Sequence, residues 1–169
     1  MALTKVTGTG LETLSDGVTI TTADNTTQLT LKSTEAGTSV GPILDLTRDS
    51  ASPADGDVLG LIRFKGNDAG GNETTYAQII GFIQDEAAGA EDGTLKIETL
   101  IAGGSQARLD FTLSETVFNE GDIDLDFRVE SNVNANSLYV QGDTGYVGFG
   151  LIPTHNFNLQ SAGAVEARF

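Results

Sequence analysis

Five acids and one arginine occupy every second position of a single stretch, "EGDIDLDFRVES", residues 120 to 131. Glu120, Asp122, Asp124, Asp126, Arg128 and Glu130 share one parity, and Ile123, Leu125, Phe127 and Val129 share the other. Closely spaced carboxylates could ligate a cation or act as paired acid and base. An EF-hand loop requires a Gly at its sixth position and a Glu at its twelfth. Counted from Asp122, those positions hold Phe127 and Val133. Acids two apart on a strand stand about 6.5–7 Å from each other, too far for neighbours to share one ion easily. The same acids could ring a symmetry axis and hold a cation there. The plainer reading is a half-buried β-strand, with the acids on its wet face and the apolar row on its dry one.

Other reactive constellations are poorly supplied. There is no cysteine, and His155 is the only histidine. It stands outside any strand–turn–helix elbow around a serine, so nucleophilic catalysis has no visible base in place. Paired carboxylates for glycoside hydrolysis have many candidates among 24 acids, but a chain with no Trp and 3 Tyr offers little platform for stacking a sugar. "GTGLET" at 8–13 and "GFGLIP" at 148–153 each lack the third glycine and the βαβ context of a dinucleotide loop. The bases are scattered, and only Arg63 and Lys65 lie close together, on one strand face. The reading is therefore a protein that is not an enzyme, with no catalytic residue, no metal and no cofactor.

The composition narrows the partners. The formal net charge is −15, from 24 acids against 9 bases. Such a surface repels nucleic acid and anionic membranes. No run approaches the roughly 18 apolar residues of a membrane span, and "MALTKVTGTG" has no signal-peptide core. The sequence thus predicts a soluble product of a cytoplasm, and the sequons at Asn25 and Asn72 are chance matches. Without cysteine there are no disulfides, and oligomerisation is the usual substitute.

The elements that must position these residues are short. Glycine is 21 of 169 residues, well above the roughly 7% average, and it punctuates alternating apolar runs. "GVTITT" at 17–22 and "TQLTLKS" at 27–33, around "ADN", predict two strands and a turn. "GPILDLTRD" follows, then the loop "ASPADGD" at 51–57. "DVLGLIRFKG" and "TTYAQIIGFIQD", around "NDAGGNE" at 67–73, predict the strongest hairpin in the chain. "QDEAAGAED" at 84–92 is broken by Gly89 and reads as a loop. "EDG" turns into "TLKIETLI", and "AGGSQ" at 102–106 turns into "ARLDFTLSETVF", where Leu109, Phe111 and Leu113 share a parity. "ESNVNANS" is a polar bend, "SLYVQ" and "YVGFG" are strands around "GDTG", and the residues after Gly150 form an irregular tail containing Pro153.

Roughly ten such strands predict an all-β fold, a sandwich or a stack of small sheets of short antiparallel strands. The organisation read from the sequence is an anchoring segment over 1–35, a β-rich body over 36–118, a β-rich motif over 119–150 and the tail over 151–169. So few large aromatics give a lone chain a thin core, which burial between identical chains would thicken. The shared core is placed at Ile123, Leu125, Phe127, Val129, Leu138, Val140, Val147 and Phe149.

Two stretches carry a resemblance. "DFRVESNVNANSLYVQGDTGYVGFG", residues 126–150, and "LDLTRDSASPADGDVLGLIRFKGNDAGGNETTYAQIIGFIQD", residues 44–85, resemble segments of bacteriophage tail-fibre and tailspike-like proteins, especially those of marine bacteria. Phe149 stands where those proteins more often have Ile. The resemblance implies a virion protein, a homotrimer intertwined or stacked about a three-fold axis and contacting other proteins of the tail or head. It carries over no catalytic residue. In such fibres a self-cleaving C-terminal chaperone often follows the Val-Gly-Ile-Gly segment, whereas 19 residues follow Gly150 here. A short appendage in turn admits two further roles, a capsid decoration protein or a spike that binds or degrades a host-surface glycan.

Overall fold

The computed structural model describes residues 17–159, and the chain divides into two units, ending and beginning at Asp45 and Leu46. The all-β expectation holds: nine strands and no helix are present among the described residues. Part of the anchoring segment and most of the tail lie outside those residues.

In the first unit, residues 17–45 hold no strand. The strands read over 17–22, 27–33 and the start of "GPILDLTRD" are corrected accordingly. The turn between the first two survives as a bend, with Asp24 accepting a hydrogen bond from the Thr26 N–H at 3.0 Å. Hydrogen bonding from Thr26, its side chain first and its N–H second, holds the carboxyl's pKa below the ordinary value. Val18, Ile20, Leu29 and Leu31 are exposed. Alternation specifies a face, but a strand also needs a neighbour to take its backbone groups.

The second unit contains two sheets. Strands β1 (Val58–Asn67), β2 (Glu73–Asp85), β3 (Asp92–Ile101), β4 (Gly104–Phe111) and β5 (Thr116–Phe118) form an antiparallel meander in sequence order. Strands β6 (Phe127–Val129), β7 (Leu138–Val140), β8 (Val147–Phe149) and β9 (Phe157–Leu159) form the other sheet, also in sequence order, with β6, β7 and β8 antiparallel. β9 pairs parallel to β8.

The expected hairpin is β1–β2, closed at Asn67↔Glu73. Asp68 nucleates its loop by accepting from the backbone N–H groups of Gly70 and Asn72, each at 2.8 Å, and from the Asn72 amide. Those donors, the Asn72 side chain first, hold its carboxyl below the usual range. The β3–β4 turn is tighter than the sequence suggests. It consists of Ala102 (φ 48°) and Gly103 (φ 84°) between paired Ile101 and Gly104, a two-residue type I′ turn. "ARLDFTLSETVF" is not one strand. It reverses at Thr112, whose N–H reaches the Glu115 carbonyl at 3.0 Å and whose hydroxyl donates to the same oxygen.

The register sorts the side chains of the meander into two faces. One holds the rungs Gly60–Gly81–Leu95–Phe111 and Ile62–Ile79–Ile97–Leu109–Phe118. The other holds Leu61–Ile80–Lys96–Asp110–Val117 and Arg63–Gln78–Glu98–Ala107. Register shifts interrupt the pairing next to Leu59, Tyr76, Gln84 and Arg108. Such bulges bend strands and increase their twist.

Candidate functional site

The sequence places a shared core along 123–149, and the small sheet decides which of those residues stand together. Pairing of Phe127 with Val140, Val129 with Leu138 and Val140 with Val147 puts these five on one face, with Phe149 two residues along β8 from Val147. Six of the eight expected residues therefore share one sheet face. Val129 and Phe149 are exposed there, and Leu138, Val140 and Val147 are partly covered. Phe149 meets Phe157 edge-on at 6.0 Å between ring centroids, and Phe127 meets Phe118 of β5 at 4.9 Å.

Ile123 and Leu125 reach their positions differently. The strand expected over 120–131 is confined to Phe127–Val129. Upstream of it Asn119 (φ 67°) and Asp122 (φ 49°) take left-handed backbone, and residues 120 and 121 form a turn. Short polar side chains tolerate that conformation best among non-glycine residues. The Asn119 amide fixes the turn by donating to the Ile123 carbonyl at 2.8 Å. Alternation of exposure survives without the ladder: Ile123, Leu125 and Phe127 are half-buried, while Asp122, Asp124 and Asp126 are exposed.

Of the acids, only Asp126 has a defined structural task. It accepts from the Tyr139 hydroxyl and, through its other oxygen, from the Gly142 N–H at 2.9 Å. The tyrosine bond, then the Gly142 N–H, hold the carboxyl below its ordinary range. The same bond, with desolvation adding to it, pushes the Tyr139 phenol above its ordinary value. Arg128 of β6 pairs with Glu130, just past the end of that strand.

Gly142 is required by the same crossing. A Cβ there would stand 2.3 Å from the Leu125 nitrogen. Gly148 is required likewise, since its Cβ would lie 2.5 Å from the Leu151 carbonyl oxygen and 3.1 Å from Pro153. The segment after β8 folds back over that bare glycine. This close return allows β9 to pair parallel across a connection far shorter than the dozen residues usual for parallel strands. Alternating Phe157 and Leu159 are the sequence signal for β9.

The meander carries polar structure of its own. Lys96 pairs with buried Asp110 at 2.9 Å, and Asp110 Oδ1 is buried with no hydrogen-bond partner. The Asp110 bond raises the lysine's pKa against its own desolvation, with Glu98 and Glu120 adding to it. Glu98 accepts from Gln78 and Ser105, each at 2.7 Å. Arg63 and Lys65 share a face as expected, and Lys65 pairs with Glu73 across the hairpin. His155 lies on the exposed bend before β9, its Nδ1 3.0 Å from Thr154 Oγ1.

One grouping escaped the sequence reading. Carboxylate oxygens of Asp55, Asp85 and Glu86 lie within 4.8 Å of one another, brought together from a loop and the end of β2. Hard cations take such oxygen ligands, in sets of six or more for calcium.

The larger omission is apolar. The Gly60 and Ile62 rungs present Ile62, Leu95, Phe111 and Phe118 as exposed side chains, and Phe64 two residues beyond Ile62 is exposed too. Period-two alternation of β1 through β4 was the signal that could have found this face. Among the described residues only Ile80 and Tyr139 are buried large hydrophobic or aromatic side chains, against twenty-two exposed ones. No protein-family model matches the chain, and no curated protein matches it significantly.

Proposed function

We propose that this chain is a structural subunit of a bacteriophage particle, a homotrimeric fibre or appendage piece whose work is assembly and contact rather than catalysis. The observation that carries the proposal is the missing core. Each large aliphatic or aromatic side chain is worth about 1.5–3 kcal/mol on burial, and among the described residues a single chain buries almost none of them fully. Association of identical chains is the economical remedy for a protein with no cysteine. The tail-fibre resemblance of residues 44–85 and 126–150 supplies the virion setting. Those stretches correspond to the β1–β2 hairpin with its preceding segment and to the small sheet from Phe127 to Phe149. The partners of this reading are two further copies and the tail or head proteins that hold the appendage.

Light scattering on the purified protein tests the self-assembly half, with three times 17.6 kDa as the expected mass. Antibody labelling of purified particles tests the virion half. Label on the tail supports a fibre or appendage, label spread over the capsid supports a decoration protein, and particles without label overturn the setting.

A further inference from the structure

We infer that the apolar face of the β1–β5 meander is a packing surface for a second copy of this chain, with a glycine-floored groove receiving an aromatic side chain from the neighbour. The inference rests on the self-assembly reading above and goes beyond it by naming a surface in a different sheet from the 123–149 row.

The groove is a consequence of sequence and register. Gly60 on β1 sits opposite Gly81 on β2, so two adjacent strands lack side chains at the same rung. Leu46 lies over Gly60, where an added Cβ would stand 2.9 Å from the Leu46 Cβ, and Leu59, Ile62, Ile79 and Leu95 border the open Gly81 side of a groove of about 230 Å³. Glycine inside a strand weakens it and commonly marks close approach by another group. Gly81 has no local reason to be glycine. Its backbone is not left-handed, and a Cβ built there meets nothing within 4 Å. Space beside Gly81 is thus left open by the fold itself.

The same face carries matching projections. Phe64, on the β1 edge, is 57% exposed, and Phe118, on the β5 edge beside the Phe127 ring, is 55% exposed. A hole and a projection at different places on one face let the projection of one copy enter the hole of another, reciprocally in a pair or in turn around a closed ring.

Charge and area both favour another copy. Copies with a net charge of −15 repel one another, and they meet at least cost where no charge must be buried. The two apolar rungs contain no ionisable residue, while the opposite face carries Arg63, Lys96, Glu98 and Asp110. Four long strands at a spacing of about 4.8 Å and a rise of about 3.3 Å per residue give a plan area on the order of 500 Å². Roughened by side chains, that approaches the roughly 800 Å² per partner of a stable interface.

The test compares the wild-type protein with Gly81→Leu, which fills the groove from a position where the fold has room, and with Phe64→Ser, which removes a projection. Arg63→Ser on the opposite face is the control. Light scattering gives the mass, and far-UV circular dichroism checks the sheet. The expected result is a multimeric wild type and control, with both face variants at 17.6 kDa and an unchanged strand spectrum. Because the chain has no cysteine, a single thiol reads the surface in otherwise intact protein. Ile62→Cys should react with a maleimide at least about tenfold more slowly than Arg63→Cys, since a covered site reacts only through opening. If the wild type is multimeric but the face variants keep its mass and Ile62→Cys reacts freely, this surface is not the interface and the self-assembly reading stands. A monomeric wild type overturns that reading itself. Should either variant lose its strand spectrum, the thiol rates decide.

Discussion

The Tyr139 hydroxyl donates to Asp126, thirteen residues upstream, and this bond ties the segment entering β6 to the buried centre of the small sheet. The Gly142 N–H reaches the other carboxylate oxygen, so a single acid joins the start of β6, the middle of β7 and the turn after it. Asp126 thereby leaves the row of otherwise similar acids at 120–130 and becomes a structural residue.

The bond sets a pH window. Asp126 is held below its ordinary pKa, so its stabilisation is complete above about pH 4, the unfolded value, and is lost as pH falls through the folded one. Tyr139 is held above its ordinary value, so its contribution is complete below about pH 10 and is lost as pH rises through the folded pKa. Thermal denaturation across pH should show a plateau with shoulders at both ends. Tyr139→Phe should flatten the alkaline shoulder and weaken the acid one. An unchanged profile in that variant would remove the bond from the stability account.

Lys96→Met should destabilise the meander by about 3 kcal/mol, because it strands the buried Asp110 carboxylate. This is the low end of the range for broken buried pairs, chosen because the lysine is about one-third exposed. Lys96→Met with Asp110→Leu should recover most of that loss, measured by urea denaturation of both variants. Additive losses would mean that the two groups stabilise the sheet independently.

Gly142→Ala should cost at least about 1–3 kcal/mol, since the added methyl meets backbone rather than a side chain that could rotate away. The melting temperature of the variant reads this directly, and wild-type stability would refute the close crossing at Leu125.

Ala102→Asn should stabilise the protein by about 0.5–1 kcal/mol. Alanine takes left-handed backbone at a cost, whereas Asn-Gly is the preferred type I′ pair. A fall in the denaturation midpoint would contradict the turn assignment.

On the assembly reading, Phe127→Asp should abolish the multimer while Asp124→Asn leaves it intact, since Phe127 lies on the apolar face and Asp124 is exposed. A soluble trimer from Phe127→Asp would remove this residue from the shared core.

Sequence by itself determined the fold class, the β1–β2 hairpin and the sidedness of the chain from Ile123 to Phe149. These follow from local rules: period-two alternation orients side chains, and Gly, Asn and Asp admit the backbone of turns. Pairing is a different kind of fact. "GVTITT" alternates more cleanly than "LGLIRF", yet only the second pairs with a neighbouring strand among the described residues. Nor does spacing reveal that Gly60 meets Gly81, that Gly142 lies against Leu125, or that Asp126 alone among its row meets a tyrosine. Those relations join residues seventeen and twenty-one positions apart, or thirteen in the last case, and only the tertiary register brings them together. Alternation states which way a side chain points, and the fold decides what it meets.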